Sequence, residues 1–235
     1  MNRWAAFSFH LTISLAVFLG LFGLVIALWY PGILFRIDGG WAGLKLITGV
    51  DVVLGPLLTL IVFKAGKPGL KTDLGIIAAL QVACMAAGIW IVYQARPIAL
   101  VFAYDTFFSL SASEFKSYKK DPNVVAGFPG PWPKLIYTEL PETEIGAEVA
   151  SLRSQFVGDP LFMQTDKFAT LPLNNSEVFS RQEGVRNDAL NLVGEAVEET
   201  GSDCILSRFA SAHANGFVCY DAQVGKLTRF FPLPS

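Results

Sequence analysis

The chain is poor in charge, in histidine and in catalytic patterns. Only 16% of its 235 residues are Asp, Glu, Lys or Arg, against roughly 25% in an ordinary water-soluble domain. That scarcity excludes a uniformly solvated chain. The two histidines, His10 and His213, lie far apart, which excludes the paired-histidine zinc helix. No CxxC, Walker loop, Rossmann glycine fingerprint or GxSxG elbow occurs. Glu195, Glu198 and Glu199 have helical spacing and read as a solvated helix face. Absence of a motif does not exclude an enzyme, but no constellation here carries a mechanism, and the expectation is a protein that is not an enzyme, with no catalytic residues, no metal and no cofactor.

What is abundant is apolar sequence, 52% of the residues, unevenly placed. Residues 1–96 hold 7 of the 18 basic and 3 of the 20 acidic residues, a balance of +4. Residues 97–235 hold the rest, a balance of −6. A basic apolar half joined to an acidic polar half reads as a membrane anchor followed by a water-soluble domain. The acidic half argues against nucleic acid, whose phosphates require a basic face.

Three spans are expected in the first half, over residues 9–29, 44–63 and 74–93, each long enough for a hydrocarbon core about 30 Å thick. The first run ends in Trp29-Tyr30-Pro31, without the small-residue cleavage site of a secretory signal. The second span is the centre of the argument. It carries Asp51 and a Gly55-Pro56 pair. A carboxylate within a span marks a packing or functional site, with an ion pair to Lys45 or Arg96 as the structural alternative. Pro56 removes a helical hydrogen bond to Val52, so neighbouring helices must compensate. The third span is rich in small residues, Ala83 and Ala87 among them, which favours close helix contact; Cys84 reads as another small packing residue. Gln81 offers an interhelical hydrogen bond, and Asp73 precedes the span as a capping acid. Arg3 and the lysine turn (Lys64, Lys67, Lys71) outnumber Arg36, Lys45 and Arg96 by four to three. With Trp29, Tyr30, Trp41, Trp90 and Tyr93 gathered at the other face, this predicts a cytoplasmic N-terminus and an exported second half.

In that half, residues 98–104 read as a buried strand and 113–120 as a short helix capped by Ser113. Residues 135–140 read as a strand, 141–156 as an amphipathic helix with acids in its first turn, and 182–200 as a helix ended by Gly201. Runs 204–210, 216–221 and 226–231 form a β-meander. The fold class expected is thus a three-helix transmembrane anchor plus an α+β domain with a short antiparallel sheet, divided as 1–96 and 97–235. Cys204 and Cys219 fall on adjacent predicted strands, and an oxidising compartment favours their pairing. Two reduced thiols would instead accompany a cytoplasmic domain.

The head with Arg3 and His10-Leu11, Trp29-Tyr30-Pro31, Gly39-Gly40-Trp41, the run DVVLGPLLT over 51–59, and Ala95-Arg96-Pro97 resemble the type IV pilin accessory proteins of the TfpX/TfpZ family. The resemblance implies a multi-pass protein of the bacterial inner membrane with a periplasmic domain, serving as an accessory or chaperone in pilin assembly. Its expected partners are the major type IV pilin and membrane lipid, and a homo-oligomer is open. It implies no catalytic residues. It directs attention to Asp51, Gly55, Pro56, Asp73, Gln81, Ala83 and Ala87 as a pilin-binding set. The competing readings are a membrane-tethered sensor and a small membrane enzyme or carrier that uses Asp51.

Overall fold

The computed structural model describes residues 2–141, 143–172, 177–197 and 204–233, with the backbone alone at 46, 50, 144, 195 and 196. In chain order the helices are α1 (Arg3–Leu24), α2 (Leu34–Ile37), α3 (Gly40–Thr48), α4 (Gly55–Val62), α5 (Leu70–Ala95), α6 (Ala112–Ser117), α7 (Glu144–Leu152) and α8 (Gln182–Val193). The strands are β1 (Pro97–Ala103), β2 (Thr106–Ser111), β3 (Lys134–Thr138), β4 (Phe168–Thr170), β5 (Cys204–Ala210), β6 (Asn215–Asp221) and β7 (Lys226–Pro232). They fall into two compact units, one of residues 1–31 and 39–94 and one of residues 32–38 and 95–235.

Among the described residues, the helical unit contains two helices long and apolar enough to cross a bilayer, Arg3–Trp29 and Leu70–Ala95. The three-span anchor expected from the sequence is therefore corrected to two candidates. The middle segment is continuous in helical backbone but changes its hydrogen-bond pattern part-way. Between α3 and α4 the backbone widens into a π-helical turn, Gly49–Leu54, immediately before Pro56. A proline ring clashes with the carbonyl four residues back, and a π-turn moves that carbonyl out of the way. The apolar remainder, Asp51–Val62, reaches about 18 Å at 1.5 Å per residue, short of the ~30 Å hydrocarbon core. With the middle crossing gone, the count that set the N-terminus inside and the second half outside loses its basis.

The second unit is built on a seven-stranded mixed sheet of order β4-β3-β1-β2-β5-β6-β7. This corrects the short antiparallel sheet expected. β5, β6 and β7 do form the antiparallel meander, but β1 runs parallel to β3 and β2 parallel to β5. All seven residues of β1 are buried, as a continuous apolar run demands of a strand covered on both faces. Its alternate residues feed two cores. Leu100 and Phe102 join Phe107, Phe209 and Tyr220 on one side. Ala99 and Val101 join Phe115, Val125 and Ile136 on the other. α8 lays Val185 and Ala189, one turn apart, against Leu206 and Phe217.

Residues 32–38 belong to this sheet unit as a strap. Leu34 is 2% exposed within the first core, with Ile33 and Ile37 packed around it. Asp38 is buried and accepts a hydrogen bond from the Ser109 hydroxyl on β2. Burial pushes its carboxyl above the usual carboxylate range, a shift opposed by the Ser109 and Ser211 hydroxyls.

The expected cap Ser113 gives way to Ser111, which closes a capping box with Glu114 on α6. The expected helix over 182–200 is α8 followed by a 3₁₀ turn, Gly194–Val197. Glu198, Glu199 and Gly201 lie outside the described residues.

Candidate functional site

The middle helix of the first unit presents Asp51, Gly55 and Thr59 at intervals of four residues, which places them on one face. All three are buried, as is Pro56. In a segment otherwise made of Val, Leu and Ile, the buried face is the polar and small one. Each polar group on it has a partner on another helix. The Gln81 side-chain amide on α5 donates to Asp51 Oδ1 at 3.2 Å. His10 Nδ1 on α1 and Thr59 Oγ1 share a hydrogen bond of 2.6 Å. The middle segment is thus pinned to both long helices, by one bond near its π-turn and one two turns further on.

Gly55 is what permits the first of these. A Cβ built on it collides with the Gln81 amide group, so the carboxamide occupies the space a side chain would take. Further along α5, Gly88 lies against Ile47, and Val92 fills the space beside Gly43. Gln81, Gly88 and Val92 therefore form the inner face of α5. At this end the aromatics converge: Trp29 meets Tyr93 edge to face at 5.3 Å, and the Tyr30 hydroxyl donates to the Val92 carbonyl at 3.3 Å.

The predicted set is thereby divided. Asp51, Gly55, Pro56 and Gln81 come together in the polar seam. Ala83 and Ala87 lie on the exposed side of α5, as does Cys84. Asp73 stands in the first turn of α5, paired with Lys67 Nζ at 2.6 Å. The sequence reading offered Lys45 or Arg96 to Asp51; the structure supplies Gln81, and Lys45 lies over the Trp41 ring instead. Thr59 and its partner His10 were missed as a pair. The four-residue spacing of Asp51, Gly55 and Thr59 was the signal that pointed to them. No group of three His, Cys, Asp or Glu able to hold a metal occurs among the described residues.

In the second unit Cys204 and Cys219 are disulfide-bonded across β5 and β6. The two units thus offer a buried hydrogen-bonded seam, an exposed small-residue helix face and a disulfide-bonded sheet.

Over 108 residues, 45% of its length, the chain is 37% identical to three proteins of Dichelobacter nodosus. One is the fimbrial assembly protein of serogroups C1 and C2, of which the match covers 82%. The chain belongs to this family of fimbrial assembly proteins. The others are the family members of serogroups E1 and I, and of these the chain spans 42% each. No protein-family model matches the chain. No solved structure matches it.

Proposed function

We propose that the protein is a membrane-anchored assembly factor for fimbriae that works by holding the fimbrial subunit and not by catalysis. The observation that carries this reading is its membership of the fimbrial assembly proteins. Two long apolar helices support a place in the bacterial inner membrane, and the Cys204–Cys219 bridge supports a periplasmic sheet unit, since disulfides persist in oxidising compartments.

The mechanism follows from the division of the first unit. The Asp51–Gln81 and His10–Thr59 bonds fix the middle segment against α1 and α5, so the bundle is preorganised. The outer face of α5 then stays rigid and open. Ala83 and Ala87 are small enough for a foreign helix to approach closely, and the client we assign to this face is the apolar helix of a type IV pilin, as the TfpX/TfpZ resemblance implies. Asp73 is already paired with Lys67, so its contribution is to hold the turn before α5.

Deleting the gene tests the assembly role: surface fimbriae should vanish while the subunit is still made, and unchanged fimbriae would end the reading. Photo-crosslinkers at Ala83 and Ala87 test the face, and they should capture the fimbrial subunit. Capture of lipid alone in a strain whose fimbriae depend on the protein would reject the helix-holding step.

A further inference from the structure

The hairpin joining β1 to β2 turns on Tyr104 and Asp105, between the paired residues Ala103 and Thr106. Tyr104 has a φ of +58°. That left-handed conformation costs an L-residue roughly 1–2 kcal/mol, and glycine or asparagine is its ordinary occupant in a short hairpin. Strain of this kind collects at ligand clamps and active sites, so a bulky ring placed there points to a use for the ring. The turn is firmly held. The Asp105 carbonyl accepts from the Arg208 N–H at 2.8 Å, and its carboxylate accepts from the Thr106 hydroxyl at 2.7 Å. Arg181 lies over the Tyr104 ring, 5.1 Å from its centroid.

Tyr104 lines an open cavity of about 310 Å³ in the sheet unit. Phe108 and Phe162 also line it, stacked at 4.1 Å with 18° between their planes, and both are only half-buried. The polar part of the lining is Ser151, in the last turn of α7, with Ser154 and Gln155 in the π-turn Arg153–Val157 that follows. The Gln155 amide donates to the Ser151 hydroxyl oxygen at 3.3 Å, which leaves the amide carbonyl and the two hydroxyl protons for a ligand. Among the described residues no charged side chain lines the cavity. The neighbouring cations are committed elsewhere. Arg153 reaches Asp159 at 2.6 Å and Asp166 at 3.0 Å, and Lys120 reaches Asp159 at 2.9 Å. The Arg153 pairs also fix the π-turn that carries Ser154 and Gln155.

We propose that this cavity is a binding site for a neutral pyranose sugar. The C–H face of a sugar ring carries partial positive charge and lies favourably on the electron-rich face of an aromatic ring. Its hydroxyls, each a donor and an acceptor, match serine and glutamine side chains that also do both. A purely apolar ligand would take water from Ser151, Ser154 and Gln155 without replacing their hydrogen bonds. A phosphate or carboxylate would meet no charged partner in the lining. The volume stands at the low end of small-molecule sites, about 300–1,000 Å³, and suits one or two rings. The sheet unit thereby has a ligand site of its own, separate from the α5 face.

The test uses the full-length protein in lipid nanodiscs and saturation-transfer NMR with the methyl pyranosides of glucose, galactose, mannose and N-acetylglucosamine. At least one should bind, with the strongest transfer at ring C–H protons. Tyr104→Gly removes the ring and the strain together. It should weaken binding about tenfold, a difference of about 1.4 kcal/mol, while the denaturation midpoint does not fall. Ser154→Ala and Gln155→Ala should each weaken binding with circular dichroism unchanged. A gain in affinity with the matching disaccharide assigns the site to a glycan chain and no gain to a free sugar, and either result supports it. Binding by none of the pyranosides overturns the site, as does binding that survives Tyr104→Gly. Equal binding of cyclohexanol, which has the ring without the set of hydroxyls, overturns it too. So does tighter binding of glucose 6-phosphate, which marks an anion site.

Discussion

Replacing Leu34 by alanine tests whether the strap is part of the sheet unit's core or merely lies on it. Leu34 is 2% exposed and packs with Leu100, Phe102, Phe107 and Phe209. Removing a fully buried leucine side chain costs its transfer free energy plus the cavity left behind, about 2–5 kcal/mol in all. A cost near 3 kcal/mol raises the unfolded population of that unit by roughly two orders of magnitude, against a total stability of about 5–15 kcal/mol for a domain. The assay is pulse proteolysis of the full-length protein in detergent across a urea series, following a C-terminal tag. The midpoint for loss of the sheet unit should fall well below that of the parent. Leu80→Ala, on the exposed side of α5, serves as the control and should leave that midpoint unchanged. If Leu34→Ala matches the control, the strap contributes no core energy and the assignment of residues 32–38 to the sheet unit fails.

Gly55→Ala displaces the Gln81 amide and should cost about 1–3 kcal/mol through the loss of the bond to buried Asp51. Because Gln81→Leu removes the same bond, the double variant should melt close to either single one in micelles, and additive losses would refute the link. Opening the bridge by Cys204→Ser with Cys219→Ser releases a closed loop with a sequence separation of 15. The expected loss is roughly 3 kcal/mol, read as a drop in the denaturation midpoint that dithiothreitol reproduces in the parent. Asp38→Asn should raise the midpoint at pH 7. The folded carboxyl has a raised pKa, so the parent gains relative stability as it protonates on acidification and loses it as pH rises through the folded value. The advantage of the variant should therefore shrink as pH falls toward the ordinary carboxylate range; a pH-independent difference would dismiss burial of Asp38 as the cause.

The parts of the fold that could be read from the sequence were those written in local pattern. The apolar run of β1 and the three runs of the meander declare themselves by residue type and by the turn residues between them. Cys204 and Cys219 were paired correctly because they fall on neighbouring strands. What could not be read depends on partners distant in sequence. β4, three residues long, exists only because β3 is beside it. The strap looks like a loop because Leu34 and Ile37 are too few to show a period. The middle span was misjudged because hydropathy counts residues and is blind to the widened turn that precedes Pro56. Asp51 was singled out as a packing or functional site with its partner sought among cations, whereas the amide of Gln81 satisfies it. The apolar positions of α7 were visible as periodicity, and only the structure shows Ile145, Val149 and Leu152 exposed.

The strap also sets an order of events during synthesis. Leu34 leaves the ribosome long before β1, β2 and β5 exist to receive it, so the first core stays open at one wall until the last third of the chain has been made. A product truncated before β5 would leave Leu34 against only the β1 and β2 side of that core, without Phe209, Val218, Tyr220 and Leu227 to complete it.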